Sequence, residues 1–364
     1  MHLTSLSLTN FRKFPSRDFQ FPEDRKLICF VGQNTVGKTN VLEAIYFLGL
    51  LKSFRAQEST EMLLWDEKYL EVKGSFRIEE DLLDMQINMV FSPRKQRKLR
   101  LNGAERDLTD YVGTLNVVFF SPDDINLLLL SPANRRKYLD ILLSQTDKEY
   151  LRALVTYQKV IKQRNALLKR ISAGNAQEHE LTFWNEELAT AGVLITQKRF
   201  ELLQFLNTLV ADSYREISKN EPALFALHYS PSYKDEIFST KNYIAKLQER
   251  TARDIILEST SFGPHRDDFQ FLLGGKHIDT FASRGDTRSM ILALKISEIH
   301  YIEQKKGSLP LLLLDDVFSE LDHARQAQLI EHIPAHVQTF ITTTPQDIGI
   351  GKNFTKDIYF VAME

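Results

Sequence analysis

The chain has 364 residues, a hydrophobic fraction of 43%, a charged fraction of 26% and a formal net charge of −2. These values are typical of a soluble globular protein of two or three domains, and they exclude a chain-wide electrostatic attraction to nucleic acid. No apolar run approaches the roughly twenty residues that span a membrane. Met1–Thr4 enter a strand pattern without a signal peptide, and the single cysteine, Cys29, excludes an internal disulfide. We therefore expect a cytoplasmic protein without membrane contact.

The first motif along the chain is a predicted phosphate-binding loop. The apolar run Leu27–Val31 predicts a buried strand, and the segment Gly32–Thr39 that follows fits the pattern G-x-x-x-x-G-K-[ST]. Apolar residues at helical spacing then predict a helix from about Lys38 to Leu48. Glycines permit a tight turn whose backbone N–H groups point at phosphates, next to the positive end of the helix. The structural alternative is an ordinary strand–turn–helix corner.

This loop supplies most of the expected nucleotide contacts. We expect Lys38 to act as a catalytic residue that bridges the β- and γ-phosphates of ATP, and the Thr39 hydroxyl to bind Mg²⁺. The other predicted nucleotide-binding residues of the segment are Gly32, Asn34, Gly37 and Asn40.

Further strands are predicted along the chain, and one of them precedes a basic cluster. The strands lie near Glu71–Ser75, Met85–Phe91, Asn116–Phe120, Ala223–Tyr229, Phe269–Leu273, Gln338–Thr342 and Ile358–Val361. After Phe91 comes a set of cations that we expect to line a β-hairpin, namely Arg94, Lys95, Arg97, Lys98 and Arg100. These cations either bind phosphates of nucleic acid independently of sequence or form a solvated edge that blocks strand pairing.

A helical segment separates the two ends of the chain. The pattern is helical from about Ser131 to Asn220, with long helices at Tyr150–Ile171 and Glu178–Lys219 and a turn at Ser172–Asn175. Sustained heptads are absent, which favours a compact helical subdomain over a long coiled coil. We therefore expect three parts, namely the N-terminal part of an ATPase head with the phosphate loop at residues 1–130, a helical subdomain or arm at 131–222, and the C-terminal part of the head at 223–364. A second basic set either contacts DNA or is a solvated helix face: Arg152, Lys159, Lys162, Arg164, Lys169 and Arg170.

The C-terminal part contains the expected second half of the nucleotide site. Ser283 and Gly285 open a helical pattern, where a hydroxyl and free N–H groups suit an anion, although an N-cap serine explains them equally well. The apolar run Leu311–Leu314 predicts a buried parallel strand that ends in two acids. We expect Asp315 to bind Mg²⁺, directly or through water, and Asp316 to polarise the attacking water.

The order of these stretches is similar to that of ATP-binding-cassette heads. Such heads combine a serine–glycine helix start, a leucine-rich strand that ends in two aspartates and a segment like Ser319–Asp322. Their serine contacts the γ-phosphate of a nucleotide held by another subunit. The resemblance implies that Ser283 and Gly285 act across a homodimer that forms with ATP. It also makes Asp322 a nucleotide-site residue, where the structural alternative is the cap of the next helix.

Over nearly its whole length, the chain resembles the RecF family of recombination mediators, which are related to SMC-type heads. The stretches that carry the resemblance are Leu8–Arg12, Gly32–Asn40, Pro122–Asp123, Ser131–Asp140, Gly263–Asp268 and Leu313–Leu329. The resemblance implies an α/β fold, namely an ABC/SMC-type P-loop ATPase head of mixed sheet and helices plus an inserted α-helical subdomain. It places Arg12 near the nucleotide or DNA, where the alternative is a surface ion pair. For His265 and Arg266 we expect a structural turn, with Arg266 paired to Asp267 or Asp268.

The resemblance also implies a function. It implies ATP and Mg²⁺ as cofactors, weak DNA-stimulated ATP hydrolysis, and sequence-independent binding of duplex or gapped DNA. Partners of the RecO and RecR type and loading of the RecA recombinase, in repair, replication and the SOS response, follow from it as well. Three residues depart from the family pattern, in which Thr35 and Leu130 are usually glycine and Asp286 is Gln or Glu. Two alternatives stay open: another SMC-like or cassette-type DNA ATPase, and an ATP-gated scaffold with little turnover.

Overall fold

The computed structural model describes most of the chain, namely residues 1–124, 131–218, 224–232, 239–278, 283–317, 326, 329, 331–334, 336–344 and 358–364. Asp322 and Leu130 lie outside the described residues. The chain divides into two compact units, of which the first comprises 1–125, 216–219 and 288–364, and the second 126–215 and 220–287. None of the described helices combines the length and apolar character needed to cross a bilayer.

The first unit contains an antiparallel sheet of six strands. The strands are β1 (His2–Phe11), β2 (Phe14–Gln20), β4 (Tyr69–Ile78), β5 (Asp81–Val90), β6 (Gln96–Leu101) and β7 (Ala104–Glu105), in the order β2-β1-β4-β5-β6-β7. Burial alternates along β4, so that Leu70, Val72 and Phe76 face the core while Lys73 faces outward. One face of this sheet is therefore polar and accessible.

The second sheet of this unit is parallel. It contains β3 (Leu27–Val31), β8 (Val117–Phe120), β12 (Leu311–Asp315), β13 (Thr339–Thr343) and β14 (Ile358–Ala362), in the order β14-β3-β13-β12-β8. All four pairings are parallel, so the carboxyl ends of the strands share one edge. Two short elements of this unit flank β8, namely α2 (Leu108–Tyr111) and the 3-10 turn Pro122–Asp124. The predicted strands near Asn116, Gln338 and Ile358 are confirmed within one or two residues.

Helix α1 (Lys38–Leu50) connects the two sheets of the first unit. It begins after Gly37 and ends at Leu51, whose left-handed backbone lets its N–H bond the carbonyl of Phe47. The helix packs closely enough on β4 that a Cβ at Gly74 would lie 2.5 Å from Leu48 Cδ2. Burial on almost every side makes α1 a fixed support for the loop that precedes it.

The second unit is mainly helical. Its helices are α3 (Pro132–Thr146), α4 (Lys148–Ser172), α5 (Leu181–Asn207), α6 (Val210–Ser218), α7 (Thr240–Glu249) and α8 (Thr251–Leu257), although the last three residues of α6 are assigned to the first unit. The predicted long helix at Glu178–Lys219 is interrupted, because a 3-10 turn precedes α5 and residues 208–209 separate α5 from α6. A three-stranded sheet completes the unit, with β9 (Phe225–Ser230), β10 (Asp268–Leu273) and β11 (Lys276–His277) in the order β11-β10-β9. Helix α9 (Arg284–Lys306) begins in this unit and continues in the first.

The second boundary between the units differs from the predicted one. Residues 220–287 pack with the helical segment, whereas the motif pattern assigned residues from 223 onward to the ATPase head. The physical reason is the small sheet, since β10 packs on α3 and β9 on α5. As a division by function, the three-part assignment stays a prediction.

One arginine of the second basic set lies in the core of this unit. Arg164 on α4 has no exposed surface and forms an ion pair of 2.8 Å with the equally buried Asp254. Its guanidinium also donates to Asn185 Oδ1 at 2.9 Å and to Thr260 Oγ1 at 2.8 Å. The prediction of a basic helix face is therefore wrong for this residue, which a buried carboxylate holds inside the unit.

Candidate functional site

The loop between β3 and α1 closes around Lys38. The Lys38 ammonium is buried and donates to the carbonyl oxygens of Gly32 at 2.7 Å and Gln33 at 3.0 Å. A buried ammonium requires such partners, and here the loop itself supplies them. The predicted phosphate-binding lysine thus lies inside the curve of its own loop, while Asn34 at the tip is exposed.

Two glycines of the loop are required by space. A Cβ at Gly32 would lie 2.5 Å from the carbonyl oxygen of Met363, and a Cβ at Gly37 would lie 2.7 Å from Phe14 Cζ. Gly37 also has a φ of 102°, which side chains rarely adopt. Both positions let the loop approach its neighbours closely, in agreement with the tight turn that the motif requires.

Thr35 has a strained backbone. Its φ of 75° lies in the left-handed region, which is unfavourable for a β-branched residue. Its carbonyl oxygen accepts a hydrogen bond of 3.1 Å from Lys13 Nζ. This conformation gives a physical reason for the glycine that is usual at this position.

Replacing Thr35 by glycine is expected to raise the free energy of unfolding of the first unit by about 0.5–1 kcal/mol. The left-handed conformation costs a side chain more than glycine loses in entropy. Calorimetric melting of the two forms measures the difference. Thr35→Ala serves as the control, because it keeps the Cβ and the strain. An equal gain from alanine would contradict this explanation.

The two predicted Mg²⁺ ligands meet at the carboxyl edge of the parallel sheet. Asp315 Oδ1 accepts hydrogen bonds of 2.8 Å from the hydroxyls of Thr39 and Thr342. Burial raises the pKa of Asp315, while these hydroxyl bonds and the charges of Arg55 and Lys38 oppose the rise. A hydroxyl and a carboxylate are hard oxygen ligands, so this pair fits a magnesium ion.

Asp316 follows directly, at a turn in the backbone. Its φ of 50° ends the extended conformation of β12, and its N–H donates to Thr342 Oγ1 at 2.9 Å. Aspartate tolerates this left-handed conformation better than most side chains do. Thr342 therefore binds both acids, one through its carboxylate and the other through its backbone. The motif pattern did not assign this role, although the parallel pairing of β12 and β13 places Thr342 opposite Asp315.

Arg12 is engaged in an ion pair. Its Nε donates to Glu43 Oε2 at 2.7 Å, its Nη2 to Glu43 Oε1, and its Nη1 to the carbonyl of Glu61. Glu43 on α1 is completely buried and also accepts the hydroxyl of Ser53. The structure thus gives Arg12 an ion pair with a buried carboxylate instead of the surface ion pair that was the alternative, and contact with a nucleotide or DNA stays a prediction.

Ser283 and Asp286 form a reciprocal cap at the start of α9. The N–H and hydroxyl of Ser283 donate to Asp286 Oδ2 at 3.0 and 2.7 Å, and the N–H of Asp286 donates to Ser283 Oγ at 3.1 Å. This arrangement is a capping box with Asp instead of the usual Glu or Gln. Ser283 is exposed, and Gly285 lies between the two residues. The helix start therefore places the Ser283 side chain at the surface of the second unit.

Two of the stretches that carry the family resemblance, Ser131–Asp140 and Gly263–Asp268, meet inside the second unit. The Arg135 guanidinium of Ser131–Asp140 forms a two-bond ion pair with Asp268, at 2.7 and 2.8 Å. Arg199, which the motifs do not include, donates to Asp140 and to the carbonyl of Pro264, both at 2.7 Å. These contacts join the two motifs through the partly buried Arg135 and the buried Arg199, and they give the motifs a structural role.

The expected pairing of Arg266 with Asp267 or Asp268 is wrong, because both carboxylates have other partners. Asp268 pairs with Arg135, and buried Asp267 accepts the Tyr229 hydroxyl and the N–H of Ser232. The neighbouring histidine, His265, donates from Nε2 to the carbonyl of Thr260 at 2.9 Å, and its Nδ1 accepts the Tyr157 hydroxyl at 2.7 Å. Burial lowers the pKa of His265 to about 4, so the ring is neutral near pH 7.

Comparison with known proteins identifies the class of protein to which the phosphate loop, the parallel sheet and the Ser283 helix start belong. The family model described as RecF/RecN/SMC N terminal domain matches residues 2–361. The fold is therefore that of an ABC/SMC-type P-loop ATPase head, as the motifs predicted. The chain is 37% identical over 353 residues to the DNA replication and repair protein RecF of Halalkalibacterium halodurans, with 95% of this chain and 94% of that protein covered.

Solved structures agree with this relative. The chain matches the recombination mediator protein RecF-ATPrS in the RecFOR pathway with a TM-score of 0.88 at 30% identity, covering 100% of this chain and 96% of that one. It matches RecF-ATP of the same pathway with a TM-score of 0.86 at 31% identity, covering 94% and 92% of the two chains. The chain belongs to the RecF family of DNA replication and repair proteins.

Proposed function

We propose that the chain binds ATP and Mg²⁺ at its phosphate loop and dimerises around two nucleotides. The observation that carries the proposal is the hydrogen bond between Thr39 and Asp315, which lie 276 positions apart in the sequence and meet beside the buried ammonium of Lys38. Solved relatives named RecF-ATP and RecF-ATPrS support the choice of nucleotide. Mg²⁺ would supply a positive charge that stabilises the transferring phosphoryl group.

The roles of individual residues follow from their positions. Lys38 would exchange its loop carbonyls for the β- and γ-phosphates, and Thr39 and Asp315 would turn their oxygens to Mg²⁺. Asp316, held at its backbone by Thr342, would polarise the attacking water. Further nucleotide contacts are proposed for Gly32, Asn34, Gly37, Asn40, Arg12 and Asp322.

Ser283 and Gly285 would complete the site of a second copy. Both lie in the second unit, whereas the phosphate loop belongs to the first. The exposed Ser283 side chain at the start of α9, next to the positive end of the helix, suits the γ-phosphate of the nucleotide bound by that copy. ATP would thus drive dimerisation, and hydrolysis, which we propose to be weak and stimulated by DNA, would release the dimer.

Replacing Ser283 by arginine is expected to abolish ATP-dependent dimerisation while a single chain still binds ATP. Arginine adds bulk at the interface, and the phosphate loop stays intact. Sedimentation with a slowly hydrolysed ATP analogue measures assembly, and titration with a fluorescent analogue measures binding. Loss of ATP binding by the isolated chain would count against a role across the dimer. A wild-type chain that stays monomeric at saturating ATP would overturn the proposal itself.

We further propose that the polar face of the antiparallel sheet binds DNA without sequence preference. Strand pairing places Lys73 opposite Gln86, Gln86 opposite Arg100, and Asn88 opposite Lys98. These three cations therefore share the outer face. Arg97 and the buried Leu99 lie on the other face by strand alternation, so the predicted basic cluster is divided.

Neutralising Lys98 and Arg100 with glutamine is expected to reduce the salt dependence of DNA binding. The slope of log K against log salt should become shallower by about 0.9 for each phosphate contact that is lost. Binding of a gapped duplex, measured by fluorescence anisotropy at several salt concentrations, gives the slope. Lys241→Gln with Arg253→Gln, on α7 and α8, is the matched control, because both side chains are exposed and belong to neither basic set. An unchanged slope would favour the solvated edge.

Partners and location are proposed on the same basis. The relatives of the RecFOR pathway support RecO- and RecR-type partners, and the relative of Halalkalibacterium halodurans supports a role in repair and replication. Loading of RecA onto gapped DNA and a part in the SOS response are proposed from the family resemblance. A cytoplasmic location stays a prediction. A second candidate is an ATP-gated scaffold with little turnover, which the strained Thr35 and the short arm of Asp286 favour. Steady-state hydrolysis with and without DNA distinguishes the two.

A further inference from the structure

The signature serine is connected through Asp286 to a buried tyrosine. Asp286 uses its two oxygens differently, because Oδ2 accepts both donors of Ser283 while Oδ1 accepts the hydroxyl of Tyr214 at 3.2 Å. Tyr214 lies on α6 with 3% of its surface exposed, and its ring centre is 5.7 Å from that of Phe225. All four residues belong to the second unit. Packing fixes the tyrosine, and the tyrosine holds the carboxylate.

The chemistry of the cap explains why the carboxylate needs to be held. The Ser283 hydroxyl has one proton, which it donates to Asp286. To bind a phosphate oxygen, the serine must turn that proton away from the carboxylate. A carboxylate that followed the serine outward would bring a negative charge to a negatively charged ligand. A carboxylate that stays at the first turn of α9 still binds the Ser283 N–H and leaves the hydroxyl free to turn.

We propose that Tyr214 is a positioning residue of the nucleotide site that two copies complete. Its hydroxyl holds Asp286 back, so that Ser283 can turn its proton to the γ-phosphate of the nucleotide on the partner copy. This inference rests on the proposed ATP-dependent dimer. Tyr214→Phe keeps the packed ring and removes only the hydroxyl. It should raise the dissociation constant of the ATP-bound dimer about 3- to 10-fold.

Binding of ATP to a single chain should not change in Tyr214→Phe, because the phosphate loop belongs to the first unit. Sedimentation equilibrium with a slowly hydrolysed ATP analogue gives the dimer dissociation constant, and nucleotide titration at low protein concentration gives the affinity of the single chain. Tyr229→Phe is the matched control. Its hydroxyl donates to the buried Asp267 in the same unit, outside the Ser283 cap. A merely structural role for Tyr214 would lower the melting temperature, as the control does, without weakening the dimer.

A second pair of variants tests the route through Asp286. Asp286→Ala alone should weaken the ATP-bound dimer, and Tyr214→Phe should then have no further effect on it. Additive losses in the double variant would overturn the proposed route. If the Tyr214→Phe variant dimerises with ATP at the wild-type dissociation constant, this inference alone is overturned. A wild-type chain that never dimerises with ATP would overturn the dimer and this inference together.

Discussion

Replacing Arg164 by methionine is expected to lower the free energy of unfolding of the second unit by about 3–5 kcal/mol. The substitution keeps most of the side-chain length but removes the only cation that is paired with Asp254 in the described core, where both side chains are 0% exposed. The carboxylate would then be buried without its counter-ion, and Asn185 and Thr260 would lose a bond as well. Leaving a buried charge uncompensated costs more than the pair itself contributes.

The second unit can be followed separately during unfolding. The chain has two tryptophans. Trp184 packs against the cluster of Leu167, Leu168 and Leu181, whereas Trp65 is 90% exposed in the first unit. In a Trp65→Phe background, the fluorescence of Trp184 during urea unfolding therefore reports the second unit. A single reporter in one unit keeps two-state treatment appropriate in a protein of two units.

Two controls interpret the loss in Arg164→Met. Arg152 lies on the same helix and is exposed. Arg152→Met should therefore change the free energy of unfolding by no more than about 0.5 kcal/mol. Adding Asp254→Leu to Arg164→Met should recover much of the loss, because no charge then stays buried. If Arg164→Met and Arg152→Met unfold at the same urea concentration, the ion pair does not stabilise this unit.

The motifs predicted the strand–loop–helix geometry of the phosphate loop and the meeting of Thr39 with Asp315 better than they predicted the second unit. A phosphate loop is a contiguous pattern whose geometry follows from its own glycines and the next helix. The meeting of Thr39 with Asp315 follows from one rule, since parallel strands place their carboxyl ends at one edge. Thr342 could have been found by the same rule once β13 was placed beside β12. The conformation of Thr35 could not, because its φ depends on how the whole loop closes.

Arg164 illustrates why the second unit was harder. An arginine on an amphipathic helix is normally solvated, and its burial here depends on Asp254, which lies 90 positions away. Arg199 depends in the same way on Asp140 and Pro264. Local patterns carry no signal for such partners. The division of the basic cluster between two faces, by contrast, follows from strand alternation as soon as Leu99 is known to be buried.

Replacing Asp316 by asparagine is expected to slow ATP turnover by a factor of about 10²–10⁴ while ATP-bound dimers persist. Asparagine matches aspartate in size and tolerates the φ of 50° at this position. The N–H bond to Thr342 is a backbone contact and survives the change. The variant therefore loses the negative charge that would orient and deprotonate the attacking water, without a loss of backbone structure. Since we propose that hydrolysis releases the dimer, assembly should become long-lived.

Phosphate release and sedimentation of the same Asp316→Asn samples test the two halves of this prediction. Asp315→Asn should behave differently, because the loss of a proposed Mg²⁺ ligand weakens nucleotide binding and raises the Mg²⁺ concentration that is needed. Asp24→Asn is the neutral control, since its carboxylate is 74% exposed. Turnover by Asp316→Asn at the wild-type rate would assign water activation to another residue. If turnover is slow but the dimers do not last, the dimer is released without hydrolysis. The Asp316 carboxylate would then act on the chemical step alone.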